Sequence, residues 1–371
     1  MVLLKQFVEV SLIVLFVFFV GAIVGEGECQ SYRAKTLHLL YATHFNVEYL
    51  QDGRKIVTDG AGRKLLLVPR GRKTVGFPPA NQIIRIPVKR VVTRWSTIPS
   101  LFQALGTMRT IVAVTTRREE LCNEQIKERM AQGVVTALGD HETIDYEKIY
   151  AVKPDLFFVS RWEKTYKLND LAIPYAVISE YLENNPLGRM EWIKFFAAFY
   201  DKEKEANDFF SKAVRNVRRL SKKIEKIKKR PRILWGFIRR GGTIYAPRGK
   251  CYVSKMIAIA GGESVLMGLK RMGGAPISME QFYEHGRDAA IYIWPEPLMQ
   301  YGITSIKKLL AINPVLGNFR SVKAGNVWCF QPWYWDAIDK TDEIITDLAV
   351  IMHPGLFPDH KLRYFFKLPK R

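Results

Sequence analysis

Residues 188–231 read GRMEWIKFFAAFYDKEKEANDFFSKAVRNVRRLSKKIEKIKKRP, more than forty positions with no glycine or proline inside. Two amphipathic helices account for this stretch better than one. The first covers 190–200. Asp201, followed by Glu203 and Glu205, marks a fresh N-terminus, because acids are favoured at the positive end of the helix dipole. From Ala206 onward Phe210, Ala213, Val217, Leu220, Ile224 and Ile227 recur at three- and four-residue steps, which buries one narrow stripe. At about 1.5 Å per residue, a helix over 203–228 is roughly 39 Å long, enough to cross a whole domain. Its other faces are crowded with Lys and Arg, and Pro231 stops it. The segment 188–230 therefore reads as a rigid helical linker between two compact halves.

On both sides of it strands and helices alternate. Before it come IIRIPV (83–88), RVVT, a short helix over 100–105 ended by Gly106, TIVAVTT, the helical REELCNEQIKERMA (118–131), VVTAL, the helical IDYEKIYAV, KPDLFFVS and IPYAVIS. After it come PRILWGFI, a loop, SKMIAIA ended by Gly261 and Gly262, SMEQFYEHG, AAIYIWP, SIKKLLAI, NVWCFQP and a final helix over 340–352 stopped by Pro354. Alternation at this spacing implies parallel sheet with crossover helices. The expected fold is α/β: two Rossmann-like lobes, 85–187 and 231–353, joined by a long helix with a ligand cleft between them. A small β extension at 31–84 packs on the body, and a basic tail follows at 354–371.

The first thirty residues are a separate element. Lys5 precedes the uncharged run VSLIVLFVFFVGAIV (10–24), short for a spanning helix and right for the apolar core of an export signal. Three outcomes stay open: cleavage after Gly25 or Gly27, lipidation of Cys29, for which Glu28 is the wrong preceding residue, or retention as an anchor. In each the chain is exported, to the periplasm or the outer face of the cytoplasmic membrane. The formal charge is +21, with 57 Lys+Arg against 36 Asp+Glu. The export signal and the absence of zinc-finger spacing argue against nucleic acid, which leaves an anionic membrane surface or an anionic ligand as partner.

Several motifs, in this order, carry a resemblance. TIDYEKIYAVKPDL (143–156), AGGES (260–264), NPVL (313–316) and GNVW (325–328) are similar to stretches of the substrate-binding proteins of ABC importers for iron chelates and cobalamin, the class III periplasmic binding proteins. The likeness covers roughly 83–353. It implies a cleft flanked by two lobes, a single helix limiting closure to a small hinge motion, and a permease with its ATPase subunits as partners. It also implies that Glu147 and Glu263 dock onto permease arginines. A monomer that hydrolyses no ATP itself is expected.

Ligands of open α/β sheets sit beyond the carboxyl ends of the strands. In the first lobe those ends carry Arg94 and Trp95, Arg117, and Arg161 with Trp162. In the second they carry Arg239 and Arg240 with Tyr245, then Trp294, then Trp333, Tyr334 and Trp335. Three consecutive aromatics cannot all face a core from one strand, and Pro332 before them argues for a loop. Arginines hydrogen-bond carboxylates and catecholates in a planar fork, and aromatic rings stack on delocalised surfaces. The implied ligand is a large anionic chelate: a ferric siderophore, a haem with its propionates, or a corrinoid. No cofactor of the protein's own is implied. The six histidines are scattered without metal-site spacing, so bare-metal binding is not expected, although a His or Tyr axial ligand to haem stays open. Cys251 and Cys329, in the same lobe of an exported protein, are a candidate disulfide.

An exported chelate- or metal-dependent enzyme is the main competitor. The chain has no GxSxG elbow, phosphate loop or HExxH, and a nitrogenase-like subunit would need cluster-ligating cysteines. A membrane-tethered binding module of another ligand class would explain the anchor and the basic surface, but not the arginines at the strand ends.

Overall fold

The computed structural model describes residues 35–73, 82–94, 97–139, 144–239, 242–269, 276–297 and 302–371. The export segment, Cys29, Trp95 and Arg240 lie outside the described residues.

The N-terminal extension is a five-stranded sheet: β1 (Lys35–Thr36), β2 (Asn46–Tyr49), β3 (Lys55–Thr58), β4 (Lys64–Pro69) and β5 (Gln82–Ile86), hydrogen-bonded in that order. The strand expected to open the first lobe is thus β5, parallel to β4 with Leu66 opposite Ile83 and Leu67 opposite Ile84. Ile84 and Ile86 complete the apolar face begun by Leu65 and Leu67, which is why the strand joins this sheet.

The first lobe contains β6 (Val91–Thr93), β7 (Ile111–Val114), β8 (Thr136–Ala137), β9 (Leu156–Ser160) and β10 (Tyr175–Ile178), all parallel in the order β10-β9-β6-β7-β8. Successive side chains of β9 serve opposite faces: Leu156 and Phe158 enter the central core, Phe157 and Val159 an outer one. The expected helix over 118–131 begins only at Glu124. A single 3-10 turn precedes it, and Asn123 caps the start by accepting the Ile126 N–H at 3.1 Å.

The second lobe runs β11 (Arg232–Trp235), β12 (Phe237–Ile238), β13 (Ile244–Tyr245), β14 (Glu263–Ser264), β15 (Pro276–Ile277), β16 (Ile291–Pro297), β17 (Val327–Phe330) and β18 (Phe365–Lys367). Its main sheet has the order β14-β11-β16-β17-β18, parallel except for β18, and β12, β13 and β15 form a small separate sheet. The break after β11 falls at Gly236, where a Cβ would lie 2.9 Å from Ala246, Phe282 and the Tyr245 carbonyl. The expected basic tail is a structural strap. Within it β18 closes the sheet edge, Tyr364 and Leu368 are buried, and the buried Asp347 carboxylate accepts the N–H groups of Arg363 and Tyr364, both at 2.8 Å.

The linker consists of helices Pro186–Glu191, Ile193–Ala198 and Glu203–Ile224. Residues 192–200 are all buried, because this part threads between the lobes and has no wet face. The long helix buries the predicted stripe, Ala206 through Ile224, and ends four residues earlier than expected. Pro231 disfavours helical geometry at Arg230, and the chain must straighten to enter β11.

Buried ionic groups fix the extension to this linker. Glu191, fully buried, accepts the N–H groups of Leu40, Tyr41 and Ala42 at 2.7–3.0 Å and the Lys194 ammonium at 2.7 Å. Glu183 takes the N–H groups of Thr43 and His44 and the Trp192 indole N–H. The Lys55 ammonium reaches the Ala198 carbonyl at 2.9 Å and pairs with Asp201 and Glu203.

Candidate functional site

A seam between the lobes holds two hollows. The inner one, about 40 Å³, is lined by Thr97 from the first lobe, Pro186 and Arg189 from the linker, and Tyr252, Met256, Tyr334, Trp335, Ile338, Thr341 and Ile344 from the second-lobe side. The outer one, about 860 Å³, lies between helix Ile98–Ala104 and the turn after β17, and includes Trp333, Lys340 and Arg363. Beside the outer hollow the lobes touch directly: the Cys122 N–H donates to Asp336 Oδ2 at 3.1 Å, and its thiol to the Pro332 carbonyl at 3.3 Å.

The side chains of the inner hollow are set by the ends of elements. Asn185 caps helix Pro186–Glu191 by accepting the Leu187 N–H, which starts the helix at the seam and puts Arg189 one turn in. The Arg189 guanidinium lies 4.5 Å from the centre of the Tyr252 ring, and its buried Nε has no hydrogen-bond acceptor among the described residues. Glu180, buried at the end of β10, is the acid whose charge Arg189 offsets; burial nevertheless holds its carboxyl above the usual range. Next to it Tyr181 packs against the exposed Trp162 with ring centres 4.6 Å apart and the rings tilted by 53°, and Arg161 lies close enough to act on the Tyr181 hydroxyl. Tyr334 stacks on Phe330, and burial pushes its hydroxyl far above the ordinary range.

The three consecutive aromatics have three different environments. Trp333 is 45% exposed and donates its indole N–H to the Arg363 carbonyl, Tyr334 is buried at 6%, and Trp335 is half-buried in the inner hollow. In the second lobe Arg239 covers the Tyr245 ring at 3.9 Å, with Phe237 stacked behind. Glu296, at the end of β16, has its pKa pushed up to about 7 by burial, against the pull of Arg239. Arg117 and Arg161 are exposed.

Three expectations need correcting. Arg94 is buried and paired with Glu163; burial pulls the arginine down and the acid up, so desolvation outweighs their mutual attraction, and the pair braces the lobe. Trp294 is fully buried, packed against Phe237 and Tyr292, because a parallel strand is covered on both faces up to its end. Cys251 and Cys329 are free thiols in separate cores, and burial pushes the Cys329 thiol upward. Arg189, Tyr252, Tyr181, Glu180 and Glu296 escaped the sequence reading. Glu180 and Tyr181 follow β10, a strand end that carries neither arginine nor tryptophan, and Arg189 lies in the run that reads as linker. Glu147 and Glu263 are both exposed, one on a short helix and one at the start of β14.

A family model described as periplasmic binding protein matches residues 91–332. An uncharacterized lipoprotein of Methanocaldococcus jannaschii is 30% identical over 360 residues, covering 89% of this chain and 85% of the relative. Among solved structures, a periplasmic heme binding protein from Pseudomonas aeruginosa aligns with TM-score 0.58 and 17% identity, over 72% of this chain and 94% of that one. The molybdate periplasmic binding protein of a Haemophilus influenzae ABC transporter aligns with TM-score 0.60 and 18% identity, over 82% and 93%. At these identities the structures speak for the fold.

Proposed function

Because this chain belongs to the periplasmic binding protein family, we propose that it captures an anionic chelate outside the cytoplasmic membrane and hands it to the permease of an ABC importer. The observation that carries this reading is the inner hollow. There a guanidinium with an unused buried N–H stands over one tyrosine, faced by a second tyrosine and a tryptophan. Such a set binds a negatively charged, delocalised ligand and offers no nucleophile paired with a base. Arg189, Tyr252, Tyr334 and Trp335 are the ligand contacts in this account, and Arg161, Trp162, Arg239 and Tyr245 are proposed as further contacts for a larger ligand. The haem-binding neighbour supports haem among the candidate cargoes, with a ferric siderophore or a corrinoid as the other anionic chelates that such a set would bind.

A second reading has its own support. A hollow of about 40 Å³ is too small for a macrocycle, so a large chelate requires the lobes to part, whereas a small anion asks for less. Thr97, at the start of helix Ile98–Ala104, and Arg189 suit a small oxyanion, the class bound by the molybdate-binding neighbour. Glu147 and Glu263 are proposed permease contacts. The description of the relative as a lipoprotein supports Cys29 as the attachment point of a membrane anchor.

The test is tryptophan fluorescence of the full chain in detergent against ferric siderophores, haemin, cobalamin, molybdate and tungstate. Saturable submicromolar quenching by a chelate supports the first reading. A response to the oxyanions alone supports the second, and no response across the panel overturns both.

A further inference from the structure

The long helix has a second face that the cleft does not use. Residues 212–232 hold eleven Lys and Arg against one acid, Glu225. All eleven are exposed, and no acid among the described residues forms an ion pair with any of them. Six of them lie on the helix itself: Lys212, Arg215, Arg218, Arg219, Lys222 and Lys223. At about 100° per residue they cover a continuous arc of roughly 140°, opposite the buried stripe. No residue of this helix lines the inner hollow, and its buried stripe packs on helices Ile193–Ala198 and Thr341–Met352.

Both edges of the arc carry exposed apolar groups. On one side a groove of about 710 Å³ is bordered by Arg218, Lys222 and Lys255, with Leu40, 49% exposed, at its rim. On the other the Lys223 ammonium lies 4.2 Å from the centre of the Phe357 ring, and the adjacent Leu356 is 37% exposed. Basic side chains flanked by shallow apolar residues match a surface whose outer layer is anionic and whose next layer is hydrocarbon. A free polyanion would use the charges but not the leucines. The acids of the helix, Glu203, Glu205 and Asp208, are gathered at its other end.

We propose that this basic face of the long helix rests on the anionic headgroups of the membrane to which the chain is tethered, leaving the interlobe seam away from the bilayer. The proposal rests on the extracytoplasmic placement argued above, but it needs neither a solute nor a permease.

It is tested by acetylation footprinting of the full chain inserted in vesicles, which keeps the tether equal in all samples. In phosphatidylcholine vesicles containing one-third phosphatidylglycerol, Lys212, Lys222 and Lys223 should react at least about fivefold more slowly than in phosphatidylcholine alone. Lys148 and Lys307 should not change. The protection should vanish in 1 M salt, where the Debye length is about 3 Å. It should also vanish in the triple variant Arg215→Glu, Arg219→Glu, Lys226→Glu, and persist when the two arginines become lysine, which shows that charge and not folding is responsible. Equal reactivity in neutral and anionic vesicles overturns the proposal, as does protection that survives the triple charge reversal. Equal protection by soluble inorganic polyphosphate also overturns it, in favour of a free polyanion. Loss of solute binding in the quenching panel would leave these outcomes unchanged, so the two readings fail separately.

Discussion

Replacing Glu191 with alanine should detach the N-terminal extension from the linker. The carboxylate is fully buried and holds three backbone N–H groups, of Leu40, Tyr41 and Ala42, together with the Lys194 ammonium. A hydrogen bond to a charged acceptor contributes about 1.5–3 kcal/mol, and removing one partner of a buried ion pair costs about 3–5 kcal/mol. These terms overlap, since water entering the space satisfies some of the stranded donors. A loss of about 4 kcal/mol is the expected total. Glu191→Gln keeps an acceptor oxygen but loses the charge and turns an NH₂ toward other donors, so about 2 kcal/mol is expected. Urea unfolding at constant m-value measures both. The helix that carries Glu191 also carries Arg189, so the alanine variant should bind its ligand more weakly even where it is fully folded. A change below about 1 kcal/mol for Glu191→Ala would refute the view that this carboxylate fixes the extension.

Other consequences follow from the same structure. The folded-state pKa of Glu296 is about 7, above its ordinary 4.5, so the folded protein keeps a proton that the unfolded chain releases. Stability should therefore fall as pH rises from about 4.5 to 7, and Glu296→Gln should flatten that slope, by roughly 1–2 kcal/mol after solvent screening. Cys251 and Cys329 should react with a thiol reagent only after denaturation, and reductant should leave the urea midpoint unchanged; protection from alkylation in the unfolded state would indicate a bond instead. Reversing the charges of Glu147 and Glu263 together should leave solute binding intact and abolish uptake in cells, and normal uptake would remove them from the permease interface.

The larger architecture was legible because it is written in periodicity. The stripe from Ala206 to Ile224 and the alternation of strands with helices need only burial on one face or on two, and both reappear in the structure. The edges were harder. Whether 83–88 joined the lobe or the extension depended on which sheet lacked an apolar partner, a tertiary matter that local pattern does not contain. The site residues divide in the same way. A strand end tells where a side chain begins, not whether it turns to water, to a neighbour or to the core. Arg94 found Glu163 and Trp294 found the core, whereas Trp335 reached the seam. Arg189 lies in the last turn of one short helix and Tyr252 at the start of another, and the two become neighbours only when the chain packs; nothing in the sequence sets them side by side.

The central claim is that solute sits in the interlobe seam against Arg189 and Trp335. Its most direct measurement is an equilibrium titration of the solute identified by fluorescence, run in parallel on the intact chain and on the Arg189→Gln, Trp335→Ala double variant. The loss of a charge-assisted hydrogen bond and a stacking face predicts affinity lower by at least about a hundredfold in a double variant that urea unfolding shows to be folded. Affinity within threefold of the intact chain would contradict the claim and move the site out of the seam.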